Sequence, residues 1–281
     1  MRLRDLAADA ARRFAAAGIA DREARLDAEL LLRHVLAWDR ATWLTRQDEP
    51  IGPDTATAFA ALAGRRAARE PVAYLRGVQE FYGREFAVGP GVLIPRPETE
   101  LLVEAGLAAI ADVDTPRILD IGTGSGCLAV TLAAERPGAV VTATDVSSEA
   151  LTRARENAAR LGVSARITFS HAAGVGGHTG PFDLVVANPP YVPEADRAGL
   201  PPEVRLHEPA VALFAGVDGL DVVRAVAADV RAALRQGGTL AMEIGIGQAD
   251  AAVAIVRRAG FVAVRVGDDL QGIPRVVTAT R

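Results

Sequence analysis

The sequence predicts an α/β protein with a doubly wound, mostly parallel sheet, preceded by a small helical bundle and a β-hairpin. The first observation is that short apolar runs typical of buried strands alternate with amphipathic helical segments from Arg117 to the end of the chain. The second is that residues 3–69 show helical spacing alone. We therefore expect a helical domain over 1–79, a hairpin and linker over 80–98, and a sheet domain over 99–281.

The N-terminal segment has the pattern of at least three short helices. Apolar residues recur at helical spacing, and Gly18 is expected to end the first helix. Such helices bury their apolar faces against one another as a bundle. Trp38 and Trp43 are expected to fill the core of this bundle, the alternative being an exposed aromatic that marks a docking surface.

Two alternating runs around Gly83 predict a β-hairpin, and a Gly/Pro-rich linker follows. Thr99 or Glu98 is expected to cap the next helix. Arg96 lies between two prolines and is held on extended backbone. It is either a solvated linker arginine or a residue positioned over a neighbouring pocket.

The remaining chain divides into strands and helices in alternation. The expected strands are 118–121, 140–144, 166–169, 182–187, 239–244, 262–266 and 275–279, and the expected helices are 128–134, 148–161, 220–234 and 249–259. A glycine-rich loop at 174–180 interrupts the alternation. Ligands of such sheets bind beyond the carboxyl ends of the strands, so the residues that follow each strand are the candidate site.

Composition excludes several classes of function. All 31 basic residues are arginine, which rules out a lysine Schiff base, a phosphate-loop lysine and a lysine general base. A net charge of -4 argues against a general nucleic-acid binder. The only cysteine is Cys127, and neither a signal peptide nor a membrane-spanning run is evident, so we expect a cytoplasmic protein without a membrane partner.

The turn Asn188-Pro189-Pro190-Tyr191 directly follows the apolar strand 182–187. Residues before proline are driven out of the helical region, and prolines supply no backbone donor. The turn is therefore stiff and extended, with spare carbonyl acceptors beside an amide and an aromatic ring. It can accept hydrogen bonds from a flat NH2 group, although an Asn-Pro turn without chemistry is the simpler alternative.

A second loop of interest is Asp120-Ile121-Gly122-Thr123-Gly124-Ser125-Gly126, which closes one strand and opens a helix. Glycines permit tight turns and close approach of a ligand, and the helix start offers free N–H groups. The spacing Gly-x-Gly-x-Gly differs from the Gly-x-Gly-x-x-Gly of dinucleotide sites. Asp145 ends the next strand, where an acid can accept both hydroxyls of a ribose.

This loop and ribose acid resemble class I S-adenosylmethionine-dependent methyltransferases, which have a Rossmann-like fold. The resemblance implies S-adenosyl-L-methionine as cofactor. Gly122, Thr123, Gly124, Ser125 and Gly126 would bracket its methionine part, Asp145 would bind the ribose, and Asp120 would help to hold the ammonium group. Asn188 would lie beside both cofactor and substrate. Cys127 is expected to be a small buried residue at the helix start, because no base accompanies it.

Within these methyltransferases, Asn-Pro-Pro-Tyr marks enzymes that modify planar nitrogens. The Asn188 oxygen and the Pro189 carbonyl would accept the two N–H bonds, with Pro190 and Tyr191 flanking the flat group. The stretches 71–100 and 208–220 are similar to the HemK/PrmC family, the peptide chain release factor glutamine methyltransferases. That resemblance implies methyl transfer to N5 of the glutamine in the Gly-Gly-Gln motif of class 1 release factors. Arg96 would then contact the substrate, and the N-terminal bundle would grip the release factor.

One departure from the family lies after the third strand of the sheet domain. The chain has Ser170-His171-Ala172-Ala173 where the family tends to carry an acidic-aromatic pair that contacts adenine. Two other functions remain open: an adenine-N6 or guanine-N2 nucleic acid methyltransferase, and a non-catalytic binding module on the same fold. No histidine shows metal-ligand spacing, so we expect no metal, and we expect a monomer.

Overall fold

A computed structural model describes all residues, 1–281, and the chain forms two compact units. The first comprises Met1–Val78 and Pro201–His207, and the second comprises Gln79–Leu200 and Glu208–Arg281. The second unit includes the hairpin and linker that the sequence predicted as a separate connecting segment. The sequence did not predict that residues 201–207 belong with the N-terminal helices. No helix in either unit is long and apolar enough to cross a membrane.

The first unit is a bundle of short helices, as predicted. Its helices are α1 (Leu3–Ala16), α2 (Asp21–Leu36), α3 (Arg40–Arg46), α4 (Pro53–Ala67), α5 (Val72–Arg76) and the inserted α9 (Pro202–His207). Trp43 is buried in the core with Phe14 and Phe59, as expected. The expectation for Trp38 was met in part: it packs against this core but is only half-buried, and the Arg46 guanidinium covers its ring at 4.5 Å.

An ion cluster connects α2, α4 and α9 of the first unit, around an arginine that is only 1% exposed. Arg66 donates to Asp27 at 2.7 Å and to Glu203 at 2.8 Å. Arg69 donates to the other oxygen of Glu203 at 2.7 Å. These bonds hold α9 on the bundle. Burial raises the pKa of Asp27 despite the opposing effect of Arg66. The sequence signals none of this, because charged residues at helical spacing are normally a solvated face.

The second unit begins with the predicted hairpin. Its strands are β1 (Val78–Phe81) and β2 (Arg84–Ala87), and Tyr82 and Gly83 make the turn with positive φ at both positions. This is the backbone that two-residue hairpins require, and glycine adopts it without a steric penalty. The rings of Phe81 and Phe86 pack edge to face with centroids 6.0 Å apart, anchoring the hairpin in the core.

The rest of the second unit is a seven-stranded sheet with helices packed against it, as predicted. The helices are α6 (Glu100–Ala109), α7 (Cys127–Glu135), α8 (Ser148–Arg160), α10 (Asp221–Ala233) and α11 (Ala249–Arg258). The strands are β3 (Arg117–Ile121), β4 (Val140–Asp145), β5 (Ile167–His171), β6 (Phe182–Ala187), β7 (Leu234–Glu243), β8 (Val262–Asp268) and β9 (Pro274–Thr280). Their order is β5-β4-β3-β6-β7-β9-β8, with β9 antiparallel to β7 and β8. The other four pairings are parallel.

The register of the parallel strands aligns the residues that follow them. Ile121 pairs with Thr144 on one side and with Ala187 on the other, and Ala187 pairs with Met242. The next residue along each strand is therefore Gly122, Asp145, Asn188 and Glu243, respectively. The strand order switches at β3, which has β4 and β5 on one side and the later strand β6 on the other, and open α/β sheets bind ligands at such a switch point. Three of these four positions are sequence-predicted site residues; the fourth, Glu243, is not.

Candidate active site

A cavity of about 520 Å³ lies over the carboxyl ends of β3, β4 and β6. Pockets of about 300–1,000 Å³ are typical of small-molecule and cofactor sites. Its wall combines glycine backbone and apolar side chains with a few polar groups. Gly122, Gly124, Asp145, Asn188, Pro189 and Pro190 are the predicted residues that line it.

The glycine loop forms the floor of the cavity. Gly122 and Gly124 have φ of +72° and +57°, a region that only glycine enters readily. A Cβ on Gly122 would meet nothing within 4 Å, so there is open room above the loop. Gly126 is required for a different reason, since its Cβ would lie 3.0 Å from that of Ala154 on α8. The first two glycines leave space for a ligand, and the third allows close packing.

Asp120 braces this loop from within the core. It is fully buried, and its Oδ2 accepts from Thr123 Oγ1 at 2.6 Å and from the Ala129 amide at 3.1 Å. Its Oδ1 has no partner in the protein. Burial raises the pKa of this carboxyl to about 7, against the lowering effect of those hydrogen bonds. An acceptor oxygen thus remains at the base of the loop.

Asp145 closes the side of the cavity at the end of β4. Its Oδ2 accepts from the Gly124 amide at 2.8 Å, and its Oδ1 accepts from the Ser147 amide at 2.8 Å. Each oxygen retains a lone pair for a further donor. The carboxylate is therefore fixed at the edge of the cavity, as a ribose ligand must be.

Asn188 is held by one side of its amide. Its Nδ2 donates to Thr99 Oγ1 at 3.0 Å, while Pro189 and Pro190 line the cavity. Tyr191 does not line it: its phenol is largely buried beside Glu243, and this burial raises its pKa. The Tyr191 carbonyl accepts from Gln248 Nε2 at 2.9 Å, which anchors the end of the turn.

The expectation that the side chain of Thr99 or Glu98 caps α6 was wrong. Neither makes a capping hydrogen bond to the helix backbone. The Thr99 hydroxyl instead donates to Oε2 of Glu243 at 2.6 Å. The sequence shows a threonine at a helix start, where capping is the local solution, and the buried carboxylate is a stronger competitor.

Arg96 is fixed by an ion pair. It donates to Glu208, whose side chain is buried and whose other carboxylate oxygen accepts from the Ile94 amide at 3.1 Å. The Arg96 side chain stays about one-third exposed, at 31%. The two family-like stretches of the sequence are thus joined, and a contact between Arg96 and substrate stays a prediction.

Other predicted residues lie outside the cavity wall. These are Asp120, Thr123, Ser125, Gly126, Tyr191 and Arg96. Burial raises the pKa of the Cys127 thiol to about 12, so it is no nucleophile at neutral pH. His171 is exposed and its Nε2 pairs with the Val146 carbonyl at 2.8 Å, whereas the neighbouring Ala172 and Ala173 do line the cavity.

Much of the apolar wall was not predicted from the sequence. Further lining residues are Gly91, Val92, Leu93, Pro209, Val211, Ala212, Val222, Ala225, Val226 and Asp229. They come from three segments that are distant in sequence: the linker at 91–93, the stretch 209–212, and α10. The linker and the 208–220 stretch carried the family resemblance, which was the one available signal. Asp229 on α10 is an acid at the wall, whose Oδ2 accepts from the Val175 amide at 2.7 Å.

The residues present fit S-adenosylmethionine. The open space over Gly122 and Gly124 suits a flexible methionine chain, Asp145 suits the ribose hydroxyls, and the largely apolar wall suits the adenine. This fold and site define the class: an S-adenosylmethionine-dependent methyltransferase.

Solved structures share the fold. The catalytic domain of hMettl16 in complex with MAT2A 3′UTR hairpin 6 is similar with a TM-score of 0.57 and 18% identity, covering 86% of this chain and 95% of that one. A methyltransferase from Pyrococcus furiosus is similar with a TM-score of 0.53 and 18% identity, over 79% and 96%.

Sequence relatives are much closer and span the whole chain. The release factor glutamine methyltransferase of Deinococcus radiodurans is 46% identical over 100% of this chain and 99% of its own length. The release factor glutamine methyltransferase of Cereibacter sphaeroides is 46% identical over 99% of this chain and 98% of its own length. Residues 5–77 match the PrmC N-terminal domain, and residues 97–200 match the methyltransferase small domain. The chain belongs to the release factor glutamine methyltransferase family.

Proposed function

We propose that this enzyme transfers a methyl group from S-adenosyl-L-methionine to the side-chain amide nitrogen of a glutamine in class 1 peptide chain release factors. We further propose that the glutamine is that of the Gly-Gly-Gln motif. The observation that supports this proposal most directly is that Asn188, Pro189 and Pro190 line the cavity together with Gly122 and Gly124 of the glycine loop. Full-length similarity to relatives that bear this name supports the choice of substrate.

The turn answers a specific chemical difficulty. An amide nitrogen is a poor nucleophile because its lone pair is delocalised into the carbonyl. Acceptors at Asn188 Oδ1 and the Pro189 carbonyl can bind its two N–H groups, which orients the nitrogen. They also stabilise the positive charge that develops on it. A fixed contact of this kind is worth about 2–4 kcal/mol, by analogy with oxyanion donors, and alignment contributes a further entropic share.

The cofactor, when bound, supplies an electrophilic methyl group on a sulfonium sulfur, which keeps the bonding electron pair. The glutamine nitrogen gains the methyl group and loses one proton, which passes to solvent once the new bond has formed. No general base is required in this scheme, and the Cys127 thiol, with its raised pKa, takes no part.

The N-terminal bundle is proposed to dock the release factor. It matches the PrmC N-terminal domain, and it exposes Leu26 and Leu44, which are 53% and 59% accessible. Replacing both leucines by serine in the full chain is expected to raise the KM for a whole release factor several-fold and to leave the Kd for cofactor unchanged. Equal changes in both constants would contradict a docking role.

The test of the function is incubation with tritiated S-adenosylmethionine and a purified release factor, followed by mass spectrometry of the labelled peptide. The expected result is one added methyl group on the glutamine of Gly-Gly-Gln. A release factor with that glutamine replaced by asparagine is the matched control, and it should take up no label. Label on another residue, or transfer to a nucleic acid and none to the release factor, would overturn the proposal.

A further inference from the structure

One buried acid near the proposed chemistry has no role in the reaction as described so far. Glu243 ends β7, is 2% exposed, and lies level with Asn188 across the β6–β7 pairing. Its Oε2 accepts from Thr99, and Thr99 accepts from Asn188. The three side chains therefore form a continuous chain of hydrogen bonds from the core to the cavity.

The protons in this chain can be placed without ambiguity while Glu243 is ionised. A carboxylate only accepts, so Thr99 donates its single proton to Glu243. The Thr99 oxygen can then only accept, and its other neighbour must donate. Of the two ends of the Asn188 amide, only the NH2 can do so. The Asn188 Oδ1 is left as the end of the amide that is free for another donor.

We infer that Thr99 and Glu243 are positioning residues that fix the amide orientation of Asn188, so that its oxygen, and not its NH2, meets the N–H of the substrate. This inference rests on the proposed function. If the Asn188 amide were flipped, its NH2 would face the N–H of the substrate, and the substrate amide would lose its hydrogen-bond acceptor. These hydrogen bonds thus define which planar group the site accepts, namely one that donates N–H hydrogen bonds to the Asn188 oxygen.

The hydrogen-bonded series Glu243–Thr99–Asn188, called the relay below, depends on the charge state of Glu243. Burial, assisted by the charge of Glu98, raises the pKa of this carboxyl from 4.5 to about 7. The hydrogen bonds from Thr99 and Tyr191 and the charge of Arg275 lower it. A protonated Glu243 can donate to Thr99, which frees the Thr99 proton to point at Asn188. The amide orientation is then no longer enforced, so turnover should fall as pH drops through about 7.

The first experiment compares Thr99→Val with Thr99→Ser in the release factor assay. Valine keeps the shape and removes the hydroxyl, so kcat should fall about tenfold, the worth of one hydrogen bond, with little change in cofactor Kd. Serine keeps the hydroxyl and should restore kcat to within about threefold of the wild type. Thr131→Val is the control, since Thr131 is fully buried and its hydroxyl has no partner.

The second experiment uses Glu243→Gln. The Thr99 and Tyr191 hydroxyls both donate to the Glu243 carboxylate, and in the variant they compete for a single amide oxygen, so the direction of the Thr99 proton is no longer enforced. We expect a lower kcat and a pH–rate profile without the acidic limb near pH 7. Thermal unfolding gives an independent readout. The ionised buried carboxylate destabilises the fold above about pH 7, so the Tm gain of the variant over wild type should grow between about pH 5 and about pH 8.

The outcomes separate the relay from the proposed function. A wild-type enzyme that does not label the release factor overturns the function. If the wild-type enzyme labels the release factor, two results overturn the relay alone. One is a Thr99→Val variant with full kcat, and the other is an equal loss of kcat in Thr99→Val and Thr99→Ser. An acidic limb that persists unchanged in Glu243→Gln also overturns it, because the titrating group then lies elsewhere, for example at Asp120.

Discussion

The two loops that meet at the cavity are both braced by a buried carboxylic acid, but over very different distances in sequence. Asp120 holds the glycine loop through Thr123 and Ala129, which lie three and nine residues away. Glu243 lies 55 residues beyond Asn188 and reaches it through Thr99, which is 144 residues from Glu243. The glycine loop is a local structure that carries its own support. The Asn188 turn is a local structure whose functional side chain is oriented by the tertiary fold.

This difference explains how readily each part can be recognised. A loop that binds its ligand through backbone groups has a signature in consecutive residues, because the glycines and the acid that braces them must be close together in sequence. A side chain aimed by remote partners has no such signature. Four substitutions test this contrast.

Asn188→Ala should have the largest effect. It removes the amide acceptor from the cavity wall and leaves the glycine loop and Asp145 in place. Turnover should fall about a hundredfold, equivalent to about 2.7 kcal/mol, while the cofactor Kd changes little. Single-turnover kinetics and calorimetric titration of the cofactor measure the two quantities. Near-normal turnover would remove the proposed role of the turn.

Gly126→Ala should lower the free energy of unfolding by straining the glycine loop. It combines a positive φ of +82° with a Cβ only 3.0 Å from Ala154 on α8. We expect a loss of about 2 kcal/mol in the free energy of unfolding. Gly162→Ala is the matched control, because Gly162 has φ of +74° and nothing within 4 Å of an added Cβ. Equal losses in denaturant titrations would show that the contact with α8 contributes nothing.

Asp145→Ala should weaken cofactor binding and leave the orientation of Asn188 intact. It removes the acceptor of the Gly124 and Ser147 amides as well as the proposed ribose ligand. We expect a rise of about tenfold or more in the cofactor Kd. At saturating cofactor, kcat should stay close to that of the wild type. A large loss of kcat with unchanged Kd would reverse the roles assigned to the two loops.

Asp120→Asn should have the smallest effect, and one that depends on pH. The folded-state pKa of Asp120 is raised from 3.8 to about 7, so the folded protein binds the proton more tightly than the unfolded chain. Wild-type stability contributed by this group is present below about pH 4 and is lost as pH rises through about 7. The Tm of the variant relative to wild type should therefore increase across that window. A difference independent of pH would show that Asp120 is not the titrating group.

The α/β class, the strand and helix sequence of the large unit and the N-terminal helices were all predictable from apolar periodicity. They rest on local spacing, which is a property of consecutive residues. The burial of Trp38 was predicted only in part, and the capping role of Thr99 was predicted wrongly. In each case a partner outside the local segment decided the outcome: the Arg46 guanidinium over Trp38, and Glu243 for the Thr99 hydroxyl.

By itself, the sequence determined the order of elements, the glycine loop with Asp145, and the stiff Asn188 turn, because each follows from backbone chemistry within a few residues. Only the tertiary structure showed that Arg66 and Arg69 hold Glu203, and that Glu243 stands level with Asn188. Strand register and burial decide such pairings, and neither can be read from spacing along one chain. Buried acids are inconspicuous in a sequence with 35 acidic residues, and become evident once their surroundings are known.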